Sequence, residues 1–454
     1  YSPLPWSVCF SHSPANAEFN YSSLRFEVSM NSRFFQFIRV ISLLAVFWLA
    51  CGVNAEESPL SKISKDDWPN WRGPQQTGIV NPEQDPPTTW SESDNILWAT
   101  DIPGRGHGSI IVLDGAIYLA TAENEPQVQS VLCLDQRTGQ IKWKTVIHEN
   151  GLPEKSNKKS SDASTTLATD GERIFVNFMS HGAVYTTALT FDGKILWQQK
   201  ITDYIVHQGY GSSPVIYQDL VIVSADNKGG GALAGLDRKT GEIRWRRERP
   251  KMPNYPSPVI FHVDGRDQLF LTGCERVSSF DPATGKTLWE VEGATTECVT
   301  STVTDGERIF SSGGYPQNHV AAIRADGSGK IEWENITRVY VPSMLIRDGH
   351  LYAVADAGVA ICWDSATGKQ RWKQRLGGTF SASPVMIQDR IYASNEEGKT
   401  FVYRATPEKM ELIAENSLGD EVFATPTICG GRIYLRVAHR LDGKRQERIY
   451  CIGK

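Results

Sequence analysis

Short runs of alternating hydrophobic and polar residues recur along the chain from about residue 90 onward. The runs AIYLA, RIFVNF, LVIVSA and RIYLRV are typical, because they combine β-branched and aromatic side chains and are bounded by turns that contain Asp or Gly. Alternation with a period of two predicts β-strands with one buried face. No convincing amphipathic helix is found in this part of the sequence, so the pattern predicts an all-β fold.

The strands are grouped into units that end on a tryptophan. Typical endings are LCLDQRTGQIKW, which closes at Trp143, and SSFDPATGKTLW, which closes at Trp289. Successive tryptophans are 39 to 54 residues apart, which is the repeat length of propeller blades. One flat ring per unit can pack onto the neighbouring unit and bury a large apolar area. We therefore predict that the following residues are mostly buried docking residues: Trp98, Trp143, Trp197, Trp245, Trp289, Trp333 and Trp372.

Counting the units predicts a closed ring of eight blades. Seven units run from about residue 108 to residue 414, and in the seventh the segment 410–414 replaces the tryptophan strand. The eighth unit begins at Ala424 and stops after its third strand, so we expect residues 96–98 to supply the fourth. Closure removes exposed sheet edges. The predicted fold class is an eight-bladed β-propeller of four-stranded antiparallel blades, closed by pairing of the N- and C-terminal segments; an open solenoid is the alternative.

The beginning of the chain has a different character. Residues 1–29 lack periodicity and contain no Met, so we interpret them as a non-native segment upstream of Met30. Two arginines, the apolar run 40–50 and small residues before Glu56 predict a secretory signal peptide over residues 30–55. The expected localisation is therefore export, to the periplasm or the extracellular space.

Two alternatives concern how the N-terminal segment is processed. Cleavage after Ala55 is the prediction, and an uncleaved membrane anchor is the first alternative. The sequence LACG around Cys51 is also similar to a bacterial lipoprotein box. A membrane contact is expected only if Cys51 is lipidated or the anchor is kept.

Two further segments have more than one interpretation. Residues 56–89 precede the propeller (residues 90–454) and contain WPNWRGP, which we expect to pack across the blades as an N-terminal strap. Exposed aromatics for glycan binding are the alternative there. The polar, lysine-rich stretch 151–164 is typical of a solvated insertion, with a lid or partner contact as its alternative.

Charge and cysteine content exclude several classes of function. The net charge of −5 does not fit a basic nucleic-acid surface. Outside the N-terminal segment six cysteines are present, without any CxxC spacing, so zinc and redox motifs are absent. We interpret the cysteines as buried free thiols in strands, although export would permit disulfides. The chain is expected to be a monomer.

The endings LDQRTGQIKW, LDRKTGEIRW and FDPATGKTLW resemble the tryptophan-docking repeat of the PQQ-like β-propeller family, over about residues 90–453. The opening DWPNWRGPQQTGIV and the stretch PGRGHGS resemble secreted planctomycete members. The resemblance implies the propeller fold. It leaves activity open, because the family contains pyrroloquinoline quinone (PQQ) enzymes and also the non-enzymatic lipoprotein of the outer-membrane barrel assembly machine.

The resemblance implies specific site residues for an enzyme. In the family's enzymes, calcium holds the quinone through Glu and Asn, an Asp acts as base, and two adjacent cysteines lie near the cofactor. This chain has no Cys-Cys pair and no CxxCH motif for a haem-binding partner domain. It also lacks the GxSxG motif that carries the nucleophile of many hydrolases. We therefore predict a non-catalytic module that binds a protein, peptide or glycan, with no catalytic residue, no metal site and no cofactor. The alternative is a dehydrogenase that uses PQQ with calcium to oxidise alcohols or sugars.

A ligand site is expected where the loops that enter the first strands meet around the channel axis. Unlike the turns of the repeat, these loops carry chemically varied side chains that suit an acidic or hydroxyl-bearing ligand. The residues we predict at this axial mouth are Arg105, His107, His207, Tyr210, Tyr255, Glu297 and Tyr340. The alternative is that the same side chains bond one another and plug the channel. A metal pair of His107 and His207 has less support, because no third ligand is evident.

Overall fold

The computed structural model describes residues 63–154 and 157–454. Within these ranges the chain forms 32 β-strands and no helix, and accordingly no helix of the described part is able to cross a membrane. The predictions for residues 1–29 and 30–55, including Cys51 and cleavage after Ala55, fall outside the described residues, as does the start of the predicted strap.

The strands form eight four-stranded antiparallel sheets, which are the blades. Strand β1 (Ile96–Ile102) comes first. Blade one contains β2 (Ile111–Leu113), β3 (Ala116–Glu123), β4 (Val128–Asp135) and β5 (Ile141–Glu149). Blade two contains β6 (Ala168–Thr169), β7 (Ile174–Ser180), β8 (Ala183–Leu189) and β9 (Ile195–Asp203). Blade three contains β10 (Val215–Tyr217), β11 (Leu220–Ser224), β12 (Ala232–Asp237) and β13 (Ile243–Glu248). Blade four contains β14 (Val259–Val263), β15 (Arg266–Gly273), β16 (Arg276–Phe280) and β17 (Thr287–Glu292).

The second half of the ring repeats the same order. Blade five contains β18 (Val303–Thr304), β19 (Arg308–Gly313), β20 (His319–Arg324) and β21 (Ile331–Asn335). Blade six contains β22 (Leu345–Arg347), β23 (His350–Ala355), β24 (Val359–Asp364) and β25 (Gln370–Arg375). Blade seven contains β26 (Val385–Ile387), β27 (Arg390–Ser394), β28 (Lys399–Ala405) and β29 (Met410–Ser417). Blade eight contains β30 (Thr427–Cys429), β31 (Arg432–Leu441) and β32 (Lys444–Ile452), completed by β1.

Pairing of the two ends of the propeller closes the ring. Strand β1 is antiparallel to β32, with Trp98 opposite Cys451. A buried ion pair supports the junction between blades eight and one: Arg436 binds Glu447 and donates from Nη1 to the carbonyl of Ala120, at 2.6 Å. The predicted eight-bladed propeller and its closure by residues 96–98 are confirmed.

Five of the seven docking tryptophans donate from the indole to a backbone carbonyl of the next blade. The indole of Trp143 lies beside Tyr118 of its own blade, with ring centroids 6.0 Å apart, and donates from Nε1 to the carbonyl of Phe191 in the next blade, at 3.0 Å. A Cβ added to Gly193 in that blade would lie 2.8 Å from the Trp143 ring. Glycine is therefore required at position 193 for two reasons. Its φ of 85° is one that other residues rarely adopt, and any side chain there would collide with the indole.

On the third strand of a blade, a small residue lies between the aromatic ring of the second strand and the indole of the fourth strand. Cys133 lies opposite both Tyr118 and Trp143, and Cys362 has the same place in blade six. All six cysteines of the described residues are free and buried, which agrees with our interpretation of them as small core residues. The tryptophans themselves are less enclosed than predicted: Trp289 is buried, whereas the other six are half-buried at the rim.

Blade seven takes its docking indole from outside the repeat. Ala414 occupies the tryptophan position, opposite Val402, and Trp90 fills the space that this small residue leaves. The Trp90 ring stacks on Tyr392 with an interplanar angle of 10°, and its backbone amide donates to Oδ1 of Asn416, at 2.9 Å. The sequence pattern did not predict this replacement, because Trp90 precedes its blade by about 300 residues of chain.

The described part of the strap, residues 63–89, crosses the end of the channel where first strands turn into second strands. Trp68 exchanges backbone hydrogen bonds with Val112 of blade one, and Val80 donates to the carbonyl of Met386 of blade seven, at 2.8 Å. Trp68 is 1% exposed. We call this end of the propeller the strap end and the opposite end, where the chain enters each first strand, the mouth end.

Candidate functional site

An axial cavity opens at the mouth end of the channel. Its volume is about 510 Å³, which lies within the range of sites for small molecules. Loops that enter the first strands supply much of the wall, and loops between second and third strands supply Asp356 and Glu396. Trp71 of the strap also lines the cavity and donates from Nε1 to the hydroxyl of Ser301, at 3.0 Å. The cavity is therefore a well whose far end meets the strap.

Four of the seven predicted site residues line this cavity. They are His107, Tyr210, Tyr255 and Tyr340. Tyr210 is buried and donates its hydroxyl hydrogen to the carbonyl of Ser224, at 2.9 Å, so it shapes the wall mainly through its ring. The Tyr255 hydroxyl is buried and has no hydrogen-bond partner in the part of the chain that the structure describes.

The other three predicted residues are placed beside or behind the cavity wall. His207 and Glu297 pair with each other, with 3.0 Å between Nε2 and Oε1. Tyr340 donates its hydroxyl hydrogen to the other oxygen of Glu297, at 3.4 Å. Arg105 lies in a neighbouring charged groove. The alternative prediction was that these side chains bond one another and plug the channel. They do bond one another behind the cavity wall, but the cavity itself stays open.

His107 is a neutral imidazole that accepts a hydrogen bond in this site. Its ring stacks on Phe423, with centroids 4.4 Å apart, and Arg105 donates from Nε to its Nε2, at 3.3 Å. Burial and then the nearby positive charge of Arg105 hold the pKa of His107 well below its ordinary value. Because Nε2 accepts, the single proton of the neutral ring lies on Nδ1.

A ring of hydroxyl side chains surrounds the axis at the base of the cavity. We call this set the hydroxyl ring; it has one member at the start of each first strand: Ser109, Thr166, Ser213, Ser257, Ser301, Ser343, Ser383 and Thr425. In six places the backbone amide of one member donates to the hydroxyl of the next, at 2.9–3.0 Å. Between Ser257 and Ser301 the direction is reversed, because the Ser301 hydroxyl donates to the Ser257 carbonyl, at 3.2 Å.

The small residues at the start of each first strand therefore have a structural role at the channel axis. A hydroxyl at this point satisfies the amide of the adjacent blade, which has no other strand to pair with at the axis. Sequence reasoning noted these small residues but not their convergence. It also missed Asp356 and Glu396, although the alternation of strand direction places the loops that carry them at the mouth end.

Charged groups of the wall are largely compensated within the protein. Lys159 pairs with Glu396, with 2.7 Å between Nζ and Oε2, and Ser381 donates to the other oxygen of Glu396, at 2.6 Å. Asp356 accepts the amide hydrogen of Tyr340, at 2.8 Å, and burial raises its pKa.

The donor set does not fit the quinone and calcium that the family's enzymes hold. Within residues 63–154 and 157–454, no group of three or more His, Cys, Asp or Glu side chains is arranged to hold a metal ion. The two carboxylates in the wall, Asp356 and Glu396, already accept hydrogen bonds. No cysteine lines the cavity.

Comparison with known proteins supports the repeat and the fold. The sequence profile of the family described as outer membrane protein assembly factor BamB matches residues 127–374 and 342–406. No curated protein sequence matches the chain significantly.

Solved structures with the same fold are only distantly similar in sequence. BamB from Moraxella catarrhalis is 13% identical, with a TM-score of 0.56 over 78% of this chain and 96% of that chain. A europium-containing methanol dehydrogenase is 13% identical, with a TM-score of 0.60 over 83% of this chain and 90% of that chain. Quinohemoprotein alcohol dehydrogenase from Comamonas testosteroni is 13% identical, with a TM-score of 0.62, and the match covers 87% of this chain and 82% of that chain. At such identities these likenesses show the fold alone. Because the family profile matches more than half of the chain, the protein belongs to the PQQ-like β-propeller family that includes BamB.

Proposed function

We propose that this protein is a non-catalytic binding module that holds a partner protein, a peptide or a glycan at the mouth end of its propeller. The observation that carries the proposal is the axial cavity, which is open at the mouth end and meets the strap at its base. Rigid blades position its lining residues, and the loops that form the mouth differ from blade to blade. A scaffold of this kind suits recognition by fixed side chains.

Binding is favoured over catalysis by the state of the polar groups in the wall. His107 stacks on Phe423 and accepts a hydrogen bond from Arg105, while Glu396 is neutralised by Lys159. A general base needs a titratable group that is free to take a proton near neutral pH. The Nε2 atom of His107 already accepts from Arg105, and both oxygens of Glu396 are already bonded, so each group is well placed to orient a ligand.

A position-specific cross-linking experiment tests the binding proposal. A photoreactive amino acid is placed at Ile336, which is 86% exposed at the mouth end, or at Leu412, which is 54% exposed on the outer rim. With the full chain produced in its own cells, we expect cross-linked products from position 336 and few from position 412. Products from position 412 alone would contradict a site at the mouth end.

Export to the periplasm or cell surface is part of the proposal. It is supported by the apolar run and small residues of segment 30–55 and by the description of the family as an outer membrane protein assembly factor. Mass spectrometry of the mature N-terminus tests it: a chain that begins at Glu56 supports cleavage after Ala55, and a lipid on Cys51 supports anchoring. A chain that keeps residues 30–55 unmodified in the cytoplasm would contradict export.

A quinoprotein dehydrogenase is the second candidate, favoured by the fold shared with the methanol and alcohol dehydrogenases. Its test is reconstitution of the full chain with PQQ and calcium, followed by dye-linked oxidation of alcohols. Retention of the quinone with turnover would reverse the order of the two candidates.

A further inference from the structure

The base of the axial cavity carries hydroxyl groups whose hydrogens have no acceptor among the described residues. Ser213, Ser257, Ser383 and Thr425 of the hydroxyl ring line the cavity and are between 2% and 7% exposed. Each of these oxygens accepts the backbone amide of the preceding ring member. No residue of the described ranges accepts the hydroxyl hydrogens, so four buried O–H donors are available to a ligand.

The acceptors of the wall do not balance these donors. Both oxygens of Glu396 are occupied, one by Lys159 and the other by Ser381, and Asp356 accepts from the amide of Tyr340. A ligand that entered the cavity would therefore meet carboxylates already in use and hydroxyl groups that are not.

Positive charge without a carboxylate partner lies at the mouth. The guanidinium of Arg338 donates once, to the carbonyl of Gly314 at 3.0 Å, and rests over the ring of Tyr340 at 5.1 Å. Among the described residues it forms no ion pair with Asp or Glu. Its remaining N–H groups suit the oxygens of a carboxylate or sulfate, which guanidinium groups bind through two hydrogen bonds.

Flat rings and neutral amides also line the wall. Tyr255, Tyr340, Phe380 and Phe423 provide the rings, and Asn157 and Gln208 provide the amides. Rings offer apolar faces, whereas amides and hydroxyls bond to a ligand's hydroxyl groups. This mixture fits a sugar ring, which has an apolar face and a hydroxyl-bearing edge.

We propose that the axial cavity binds an acidic saccharide, whose carboxylate or sulfate oxygens accept hydrogen bonds from the four cavity-lining members of the hydroxyl ring while Arg338 neutralises part of the charge. The inference rests on the proposed binding function, because it names the ligand of the same site. Charge-assisted hydrogen bonds to buried donors distinguish this ligand from a neutral sugar.

Calorimetric titration of the full chain with three probes tests the ligand class. The probes are D-glucuronate, D-glucose 6-sulfate and neutral D-glucose, which separate the two kinds of acidic group from the sugar body. We expect at least one acidic probe to bind roughly tenfold more tightly than glucose, the ratio that corresponds to one charge-assisted hydrogen bond. Equal affinity for glucose, or no binding of either acidic probe, would overturn the proposal.

The hydroxyl ring offers a matched pair of variants. Ser383→Ala removes a hydroxyl that lines the cavity, whereas Ser343→Ala removes one that accepts an equivalent amide but does not line it. Each variant loses an equivalent hydrogen bond from a backbone amide, so the structural cost is matched. Only Ser383→Ala should lower the affinity for the acidic probe, by roughly fivefold to tenfold. Ser383→Thr, which keeps the hydroxyl, should restore the affinity, and equal losses in the two alanine variants would contradict a ligand contact.

Arg338 is tested with a matched arginine from the same blade. Arg338→Gln should lower the affinity for the acidic probes roughly tenfold and leave the affinity for glucose unchanged, whereas Arg347→Gln at the strap end should change neither affinity.

Failure of the saccharide proposal remains separate from failure of the binding function. Cross-links from position 336 together with tighter binding of a glutamate-rich peptide than of either acidic sugar would overturn the saccharide while leaving the binding site in place.

Discussion

The two ends of the propeller channel use their polar groups in opposite ways. At the strap end, backbone groups of Trp68 and Val112 satisfy each other, and large side chains such as Trp68 are completely enclosed. At the mouth end, ring hydroxyls such as Ser383 keep a hydrogen to donate, and Arg338 has no acidic partner among the described residues. A sealed end contributes to stability, whereas unused donors in a cavity are useful only to a ligand. This contrast is the reason that we propose a binding site at the mouth end.

Trp68→Ala tests the strap end and should have the largest effect on stability. Because the indole is 1% exposed, its loss leaves a cavity, and we expect the free energy of unfolding to fall by roughly 3–5 kcal/mol. Urea-induced unfolding followed by circular dichroism measures the change. As a control, Tyr315→Ala at the mouth end, where the side chain is 55% exposed, should stay within about 0.5 kcal/mol. A loss below about 1 kcal/mol for Trp68→Ala would show that the strap is not an integral part of the core.

Trp143→Ala tests the docking between neighbouring blades. The half-buried indole and its hydrogen bond to the Phe191 carbonyl are lost, so the expected cost is about 2–3 kcal/mol, at or below the low end for a core aromatic. The same urea experiment measures it. Trp289→Ala should cost more, because Trp289 is buried; the reverse order would contradict docking as the source of the stability.

His319→Leu tests the pH response of the mouth end. Burial lowers the pKa of His319 to about 4, and neither ring nitrogen has a hydrogen-bond partner among the described residues. The unfolded chain, with an ordinary histidine pKa near 6.5, binds a proton that the folded chain does not, so stability falls as pH drops below about 6.5. Between pH 7 and pH 5 this group should remove about 2 kcal/mol, and His319→Leu should abolish that part of the slope. Urea unfolding at both pH values measures it, and an unchanged slope would argue against a buried neutral His319.

Arg338→Gln should have the smallest effect on stability of the four. The side chain is exposed and makes one hydrogen bond to the Gly314 carbonyl, so the free energy of unfolding should change by less than about 0.5 kcal/mol. Differential scanning calorimetry is sensitive enough to follow it. A larger loss would mean that Arg338 supports the mouth loops, which would weaken its assignment to a ligand.

The strap end has its own response to acid, in the turns before the outer strands. The backbone amide and hydroxyl of Thr138 donate to Asp135, and together with Lys142 they lower the pKa of Asp135 to about 2. Its contribution is present above the ordinary aspartate pKa near 4 and is lost as pH falls toward 2. The mouth end should therefore respond to pH in a higher window than the turns at the strap end.

Local features explain why so much of the fold was predictable. A strand, a turn and a docking tryptophan each depend on residues that are close in the chain, and repetition of the unit makes the count of blades clear. The closing strand at residues 96–98 was predictable for the same reason, because the eighth unit lacks its fourth strand. Trp90 was not, because its role depends on the small residue Ala414 on a distant strand.

The candidate site was predictable only as a location. Loops that enter the first strands must meet at one end of the channel, and this placed His107, Tyr210, Tyr255 and Tyr340 in one cavity. Which side chains face the cavity and which bond to each other, as His207 and Glu297 do, depends on loop conformations and side-chain rotamers that local pattern does not encode.

The sequence by itself predicted the propeller, the number of its blades, its closure and the burial of the cysteines in strands, because periodicity and side-chain volume act between residues that are close in the chain or equivalent in the repeat. Only the tertiary structure decided that eight hydroxyls, one per blade, form a ring, that the strap meets that ring through Trp71 and Ser301, and that four of the hydroxyls have no acceptor for their hydrogens among the described residues. Hydrogen bonding is directional and short in range, so whether a donor is used depends on atoms that the chain brings together from all eight blades.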